Sequence, residues 1–139
     1  MEHLDKNKRW HLYVLRLQDE KFYVGITSKT PEIRMQEHLE GIRVAYWTAK
    51  HKPIEIIHQE DLGIIDKAVA EKRENSMVRA LMKQRGLNNV RGGDLTDVEP
   101  YIVHFGYVCD KERWDLILYI IFTNLFMLYL IADKYFLRQ

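Results

Sequence analysis

HLYVLRLQDEKFYVGIT, residues 11–27, places two apolar segments around a short polar connection. Over residues 10–17, Trp10, Leu12 and Val14 point one way, while His11, Tyr13, Leu15 and Leu17 point the other. That period of two is a strand pattern. Phe22, Val24 and Ile26 alternate in the same manner with Tyr23, Gly25 and Thr27. Gln18, Asp19 and Glu20 read as the turn, so the stretch predicts a β-hairpin. Centred on Gln18, that hairpin sets Tyr13 opposite Tyr23 on one face. Gly25 then leaves open space beside the two hydroxyls.

Working outward, TSKTPEIRMQEHLEG (residues 27–41) carries helix punctuation. Thr30 suits the N-cap, Pro31 the first helical position, Glu32 the positive helix end and Gly41 the stop. Residues 31–40 are therefore a short helix, with Arg34 and His38 on one face. KPIEIIHQE (52–60) reads as a third strand and residues 65–85 as a longer helix ended by Gly86. LNNVRGG (87–93) is rich in turn formers and reads as a loop, and a further strand is predicted within 101–107. The fold class is α+β: a small three-stranded antiparallel sheet flanked by helices, followed by a C-terminal hydrophobic helix. Residues 1–100 form one domain and 101–139 an extension.

The long helix has an apolar stripe of Ala70, Met77, Val78 and Leu81, and Glu74 falls on it. A carboxylate on a core-facing stripe must be ion-paired, hydrogen-bonded or bound to a metal, because an isolated buried charge is very costly. An Arg or Lys at the edge of the stripe is the simplest partner. Each other candidate also has an ordinary reading when taken alone. Arg34 is a solvated charge, His38 a surface histidine, Tyr13 and Tyr23 strand formers, Gly25 a bulge and Asn89 an Asx-turn.

A formal net charge of +1 excludes a chain that is basic throughout. Any nucleic-acid surface must be a local patch, for which Lys72, Arg73, Arg79, Lys83, Arg85 and Arg91 are candidates. Cys109 is the single cysteine, which excludes an intrachain disulfide and a cysteine-based zinc site. MEHLDKNKRW at the start lacks the apolar run of a signal peptide, so a cytoplasmic setting is expected.

Taken in order, HLY at 11–13, YVG at 23–25, Arg34 with His38 behind it, EKREN at 71–75 and NNVRGG at 88–93 resemble the GIY-YIG nuclease family. His11 and Leu12 stand for the Gly and Ile of the first motif, and Val24 for the Ile of the second. The resemblance implies that Tyr13, Tyr23, Arg34, His38, Glu74 and Asn89 form the catalytic site. It further implies that Glu74 binds one divalent metal, Mg²⁺ or Mn²⁺, and that DNA phosphodiesters are the substrate. In this reading Arg34 stabilises the phosphate, Tyr13 assists activation of water through Tyr23 or His38, and Asn89 positions Glu74 or the substrate. The two tyrosines would line a concave sheet face, and the glycine would keep the backbone clear for phosphate or water. A DNA-binding module without catalysis, and a membrane-associated or oligomeric protein on the same fold, are the alternatives.

Residues 116–132 contain no charged side chain, and Thr123 and Asn124 are their clearly polar members. As a bilayer span, the run would place Trp114 and Tyr135 at the interfaces, with Lys111, Arg113, Lys134 and Arg138 snorkelling. As a soluble element, it would be buried over the sheet or in a homodimer. The run is shorter than the about 20 residues of a comfortable span, which, with the central Thr-Asn pair, favours the buried or dimeric helix.

Overall fold

The computed structural model describes residues 7–97, 100–104 and 106–137. It has two compact units, Met1–Val98 and Glu99–Gln139.

In the first unit, β1 (Asn7–Leu17) and β2 (Phe22–Thr27) form the expected antiparallel hairpin. Helices α1 (Pro31–Glu40) and α2 (Tyr46–Lys50) follow, then the long strand β3 (Pro53–Asp66), helix α3 (Lys67–Arg85) and the short strand β4 (Val90–Gly92). The sheet has the order β3-β1-β2-β4. The architecture is α+β, but the sheet is four-stranded and mixed rather than three-stranded and antiparallel. β4 pairs parallel to β2 inside the stretch expected to be a loop. Gly92 permits this pairing: a Cβ there would stand 2.2 Å from the Val24 carbonyl oxygen.

β1 is one of the two inner strands, and it is covered on both faces. Tyr13, Leu15 and Leu17 cluster with Trp47, and Tyr23, Met35 and Ile56 pack around them. Leu12 and Val14, of opposite orientation in the strand, are also buried. α3 packs on β1, β2 and β4 and buries Ala70, Glu74, Val78 and Met82. α1 starts as its sequence dictates, with the Thr30 hydroxyl accepting from the Ile33 amide at 3.4 Å. It ends on Gly41 at φ 76°, a left-handed conformation that glycine adopts at no steric cost.

The hairpin turn moves the register away from the expected one. Asp19 and Glu20 both take positive φ inside a single 3₁₀ turn over Gln18–Glu20, and the Leu17 amide donates to the Lys21 carbonyl at 2.7 Å. The hairpin therefore centres on Asp19. Tyr13 faces Gly25, and Leu15 faces Tyr23.

The second unit holds the hairpin of β5 (Tyr101–His104) and β6 (Tyr107–Asp110), followed by helix α4 (Lys111–Ala132). The strand expected over 101–107 is thus two short strands, with Gly106 at φ 82° before the second; Phe105 lies outside the described residues. Asp110 caps α4 by accepting from the Glu112 amide at 2.8 Å. The apolar side chains of α4 are exposed.

Candidate active site

Tyr13 and Tyr23 are diagonal neighbours on one face of the β1–β2 hairpin, with ring centroids 6.3 Å apart. The space above Gly25 is not open. A Cβ on Gly25 would lie 2.5 Å from the Tyr13 hydroxyl oxygen and 2.6 Å from its Cζ. The Tyr13 ring occupies the position that any other residue at 25 would need. Gly25→Ala is accordingly expected to displace the phenol at a stability cost of about 1–3 kcal/mol, read by chemical denaturation. An unchanged midpoint would mean that Tyr13 does not lie across residue 25.

α1 packs against β1 and β3 and delivers Arg34 and His38 to the tyrosine face. His38 is 1% exposed, and its ring centroid lies 5.3 Å from that of Tyr23. Its two nitrogens have distinct partners: Nε2 is 3.0 Å from the Tyr13 hydroxyl, and Nδ1 is 3.0 Å from Thr48 Oγ1. Thr48 donates its single hydroxyl proton to the Ala45 carbonyl at 2.9 Å, so it accepts from Nδ1–H. That fixes the tautomer, and Tyr13 donates to the bare Nε2. Burial, followed by the Arg34 charge, pushes the His38 pKa down to about 4, which keeps the ring neutral at neutral pH. Burial and then Tyr23 hold the Tyr13 phenol well above its usual range.

Arg34 is half-buried and held from three sides. It donates to Glu37 at 2.9 Å, to the Ile42 carbonyl at 3.3 Å and to the Arg43 carbonyl at 2.7 Å. It also lies within hydrogen-bonding reach of the Tyr13 hydroxyl. Glu37 is shared with Lys29. Arg34, Lys29 and Arg43 line one open cleft with Trp10, Thr27 and Ser28.

Glu74 enters from α3. Its carboxylate accepts the backbone N–H groups of Gly93 and Ile26. β4 ends at Gly92, so β2 is an edge strand beyond that point, and the Glu74 carboxylate takes up an amide there. Among the described residues Glu74 forms no ion pair, so the simplest expectation for it does not hold. Burial pushes its pKa up to about 7; the two amides oppose this rise, and the charges of Glu71 and Asp94 add to it. The Glu74 charge is felt by both phenols and, with burial, helps push Tyr23 up to about 12. Arg34 acts on the same two phenols in the opposite sense. Tyr13, Tyr23, Arg34, His38 and Glu74 thus form one electrostatically coupled group.

Asn89 does not join it. Its Oδ1 accepts from Lys21 at 2.7 Å, and its Nδ2 donates to the Arg85 carbonyl at 2.7 Å, closing the end of α3. The asparagine that supports Glu74 is Asn75, whose Oδ1 accepts the Asp94 amide at 2.8 Å. Asn75 thereby holds the Gly93–Asp94 turn that supplies an N–H to Glu74. Gly93 is tightly constrained here, because a Cβ would stand 1.9 Å from Asn75 Oδ1. Asn75 and Thr48 escape a reading by spacing because both act on another residue's atoms, although Asn75 directly follows Glu74.

Of the basic residues of α3, Lys67 feels the Glu74 charge and pairs with Glu71, and Arg85 lies over the Phe22 ring. Lys72, Arg79 and Lys83 are exposed and share a helical stripe on the side away from Glu74. Arg73 is paired with Glu60 at 2.8 Å. Arg91 is 1% exposed, lies 4.6 Å from the Trp47 ring centroid and donates to the carbonyls of Leu87, Val90 and Asp97. It is a core residue, not a DNA contact.

The described residues contain no cluster of three or more His, Cys, Asp or Glu side chains suited to a metal. A hard cation such as Mg²⁺ needs only one or two carboxylates, because it keeps most of its waters. Glu74, a buried carboxylate with no ion pair among the described residues and with Glu71 and Asp94 adding to its field, fits that requirement.

The family model described as the GIY-YIG catalytic domain matches residues 9–88. A UPF0213 protein of Enterococcus faecalis (strain ATCC 700802 / V583) is 34% identical over 83 residues, 59% of this chain and 91% of that protein. UPF0213 proteins of Xanthomonas campestris pv. campestris (strain 8004) and Xanthomonas axonopodis pv. citri (strain 306) are 34% and 33% identical. Those alignments cover 51% and 55% of this chain, and 66% and 71% of the respective relatives. No solved structure matches the chain.

Proposed function

This chain belongs to the GIY-YIG family, a nuclease-type enzyme family, and from that premise we propose that it is an endonuclease that hydrolyses DNA phosphodiester bonds with one divalent metal. The observation that carries the proposal is that Arg34 and Glu74, from different helices, act electrostatically on the same pair of phenols. Hydrolysis requires a polarised phosphate, a deprotonated water and a sink for the proton, and the cluster supplies a residue for each.

Arg34 binds the scissile phosphate in the cleft it shares with Lys29 and Arg43, which contact neighbouring backbone phosphates. Its hydrogen bonds to the Ile42 and Arg43 carbonyls are exchanged for phosphate oxygens. As negative charge grows on those oxygens, the guanidinium stabilises the transition state more than the ground state. The same movement uncovers the Tyr13 hydroxyl.

Tyr13 then accepts a proton from the attacking water while its own passes to His38 Nε2. Thr48 holds His38 in the tautomer that keeps Nε2 free for this transfer. A free tyrosinate is disfavoured by burial, so the two transfers occur together. Tyr23, half-buried beside both groups, packs the nucleophile against the reacting phosphorus. Glu74 would hold Mg²⁺ or Mn²⁺, and the bound ion would supply Lewis-acid stabilisation of the phosphate.

Nicking of a supercoiled plasmid, with Mg²⁺ and then with excess chelator, tests the proposal. Nicking that depends on the metal is expected. A chain that binds the plasmid but never nicks it would be a DNA-binding module without chemistry. Tyr13→Phe keeps the ring and loses the relay. It is expected to nick about a hundredfold more slowly, and cleavage at the wild-type rate would remove Tyr13 from the mechanism.

The preference among DNA structures is a separate measurement. A panel of duplex, flap and single-stranded substrates measures it.

A further inference from the structure

Helix α4 is apolar on every side. Around its axis, the exposed side chains include Phe122 at 67%, Phe126 at 60% and Leu128 at 62%, and no stretch of the run is buried. A helix that docks on a protein has one apolar stripe and a wet remainder. A two-helix seam on α4 would cover one stripe and leave the rest of its apolar surface in water. The two polar residues form no seam either, because consecutive positions lie about 100° apart on a helix.

Their donors are turned back onto the helix. The Thr123 hydroxyl donates to the carbonyls of Tyr119 and Ile120 at 3.0 and 2.9 Å. Asn124 Nδ2 donates to the Ile120 carbonyl at 2.7 Å. Donors bonded to their own helix backbone lower the cost of placing the Thr-Asn pair in hydrocarbon.

The uncharged run 116–132 spans about 26 Å at about 1.5 Å per residue, a few ångströms short of the about 30 Å of hydrocarbon, a mismatch that local bilayer thinning and snorkelling flanks accommodate. Tyr119 and Tyr129 each lie three residues inside an end of the uncharged run, placed for hydroxyls to reach the interfaces. Lys111 and Arg113 flank one end and Lys134 the other; Arg138 lies outside the described residues. At the first end Trp114 stacks on His104 at 4.3 Å between ring centroids, tying the β5–β6 hairpin to the helix start.

We propose that α4 crosses a lipid bilayer and holds the chain on a membrane. The test uses the full chain, incorporated from detergent into vesicles of phosphatidylethanolamine and phosphatidylglycerol and floated on a density gradient before and after washing in alkaline carbonate. The wild-type chain is expected to float and to resist the wash. The double variant Phe122→Lys/Phe126→Lys, with two charges near mid-span, is expected to float at least about tenfold less. Nicking activity in detergent, measured in parallel, reports whether that variant is folded.

Release of the wild-type chain by carbonate would place the helix on the surface and overturn the proposal. A discrete oligomer of the wild-type chain that stays soluble without detergent would also overturn it, by showing that protein covers α4. Unchanged flotation of the double variant would do the same.

Discussion

Glu74→Gln is expected to lower DNA cleavage by about a thousandfold or more while the domain stays folded, since a Lewis-acid metal contributes several kcal/mol to the transition state. The substituted side chain keeps the shape and an oxygen that accepts from the Gly93 and Ile26 amides. It loses the charge that holds the cation. A single-turnover cleavage assay measures the rate, and circular dichroism reports the fold.

The stability of the same variant provides a second check. In the wild-type chain, burial raises the Glu74 pKa from 4.5 to about 7. The contribution of this raised carboxyl is fully present below pH 4.5 and is lost as pH rises through about 7. His38 behaves oppositely: its pKa falls from 6.5 to about 4, so its contribution is present above pH 6.5 and is lost as pH falls through about 4. Between pH 4.5 and 6.5 the two slopes oppose each other, and the metal-free wild-type chain should change little in stability. Glu74→Gln leaves the His38 slope alone, so the variant should weaken on acidification across that window. At pH 8 without metal it should exceed wild type by about 2 kcal/mol, because no buried carboxyl has to ionise. Divalent affinity of the wild-type chain should fall about tenfold per unit as pH drops below about 7.

Arg34→Ala is the second large effect, with cleavage reduced by about a hundredfold to a thousandfold. Substrate binding should weaken much less, since Lys29 and Arg43 remain in the cleft. Arg34→Lys keeps the positive charge but lacks the planar fork that spans two phosphate oxygens, so it should recover only a small part of the rate. A loss confined to KM, with kcat unchanged, would assign Arg34 to ground-state binding and remove it from the transition state.

Much of this site can be read from residue order, and the failures have physical causes. The strands of the hairpin follow from alternation, the limits of α1 from Thr30, Pro31 and Gly41, and the burial of Glu74 from its place on the α3 stripe. The Tyr13–Tyr23 register does not follow, because the left-handed Asp19 and Glu20 shift the hairpin centre by one residue and so move every cross-strand pair by two. Gly25 therefore serves the Tyr13 ring rather than an open space. β4 has three residues in a glycine-rich stretch and no period to detect; its pairing comes from Gly92 fitting against Val24. The five-residue helix α2 is too short for a periodicity to show, so Thr48 and its control of the His38 tautomer stay hidden. Asn89 is explained by its bonds to Lys21 and the Arg85 carbonyl, and Asn75 takes the supporting role beside Glu74.

The most direct test of the account is the anomalous scattering of crystals of the chain soaked in Mn²⁺. A peak at coordination distance from the Glu74 carboxylate, on the side facing Tyr13 and Tyr23, is the expected result. A map in which Mn²⁺ lies elsewhere, with Glu74 still bound only by the amides of Gly93 and Ile26, would contradict it.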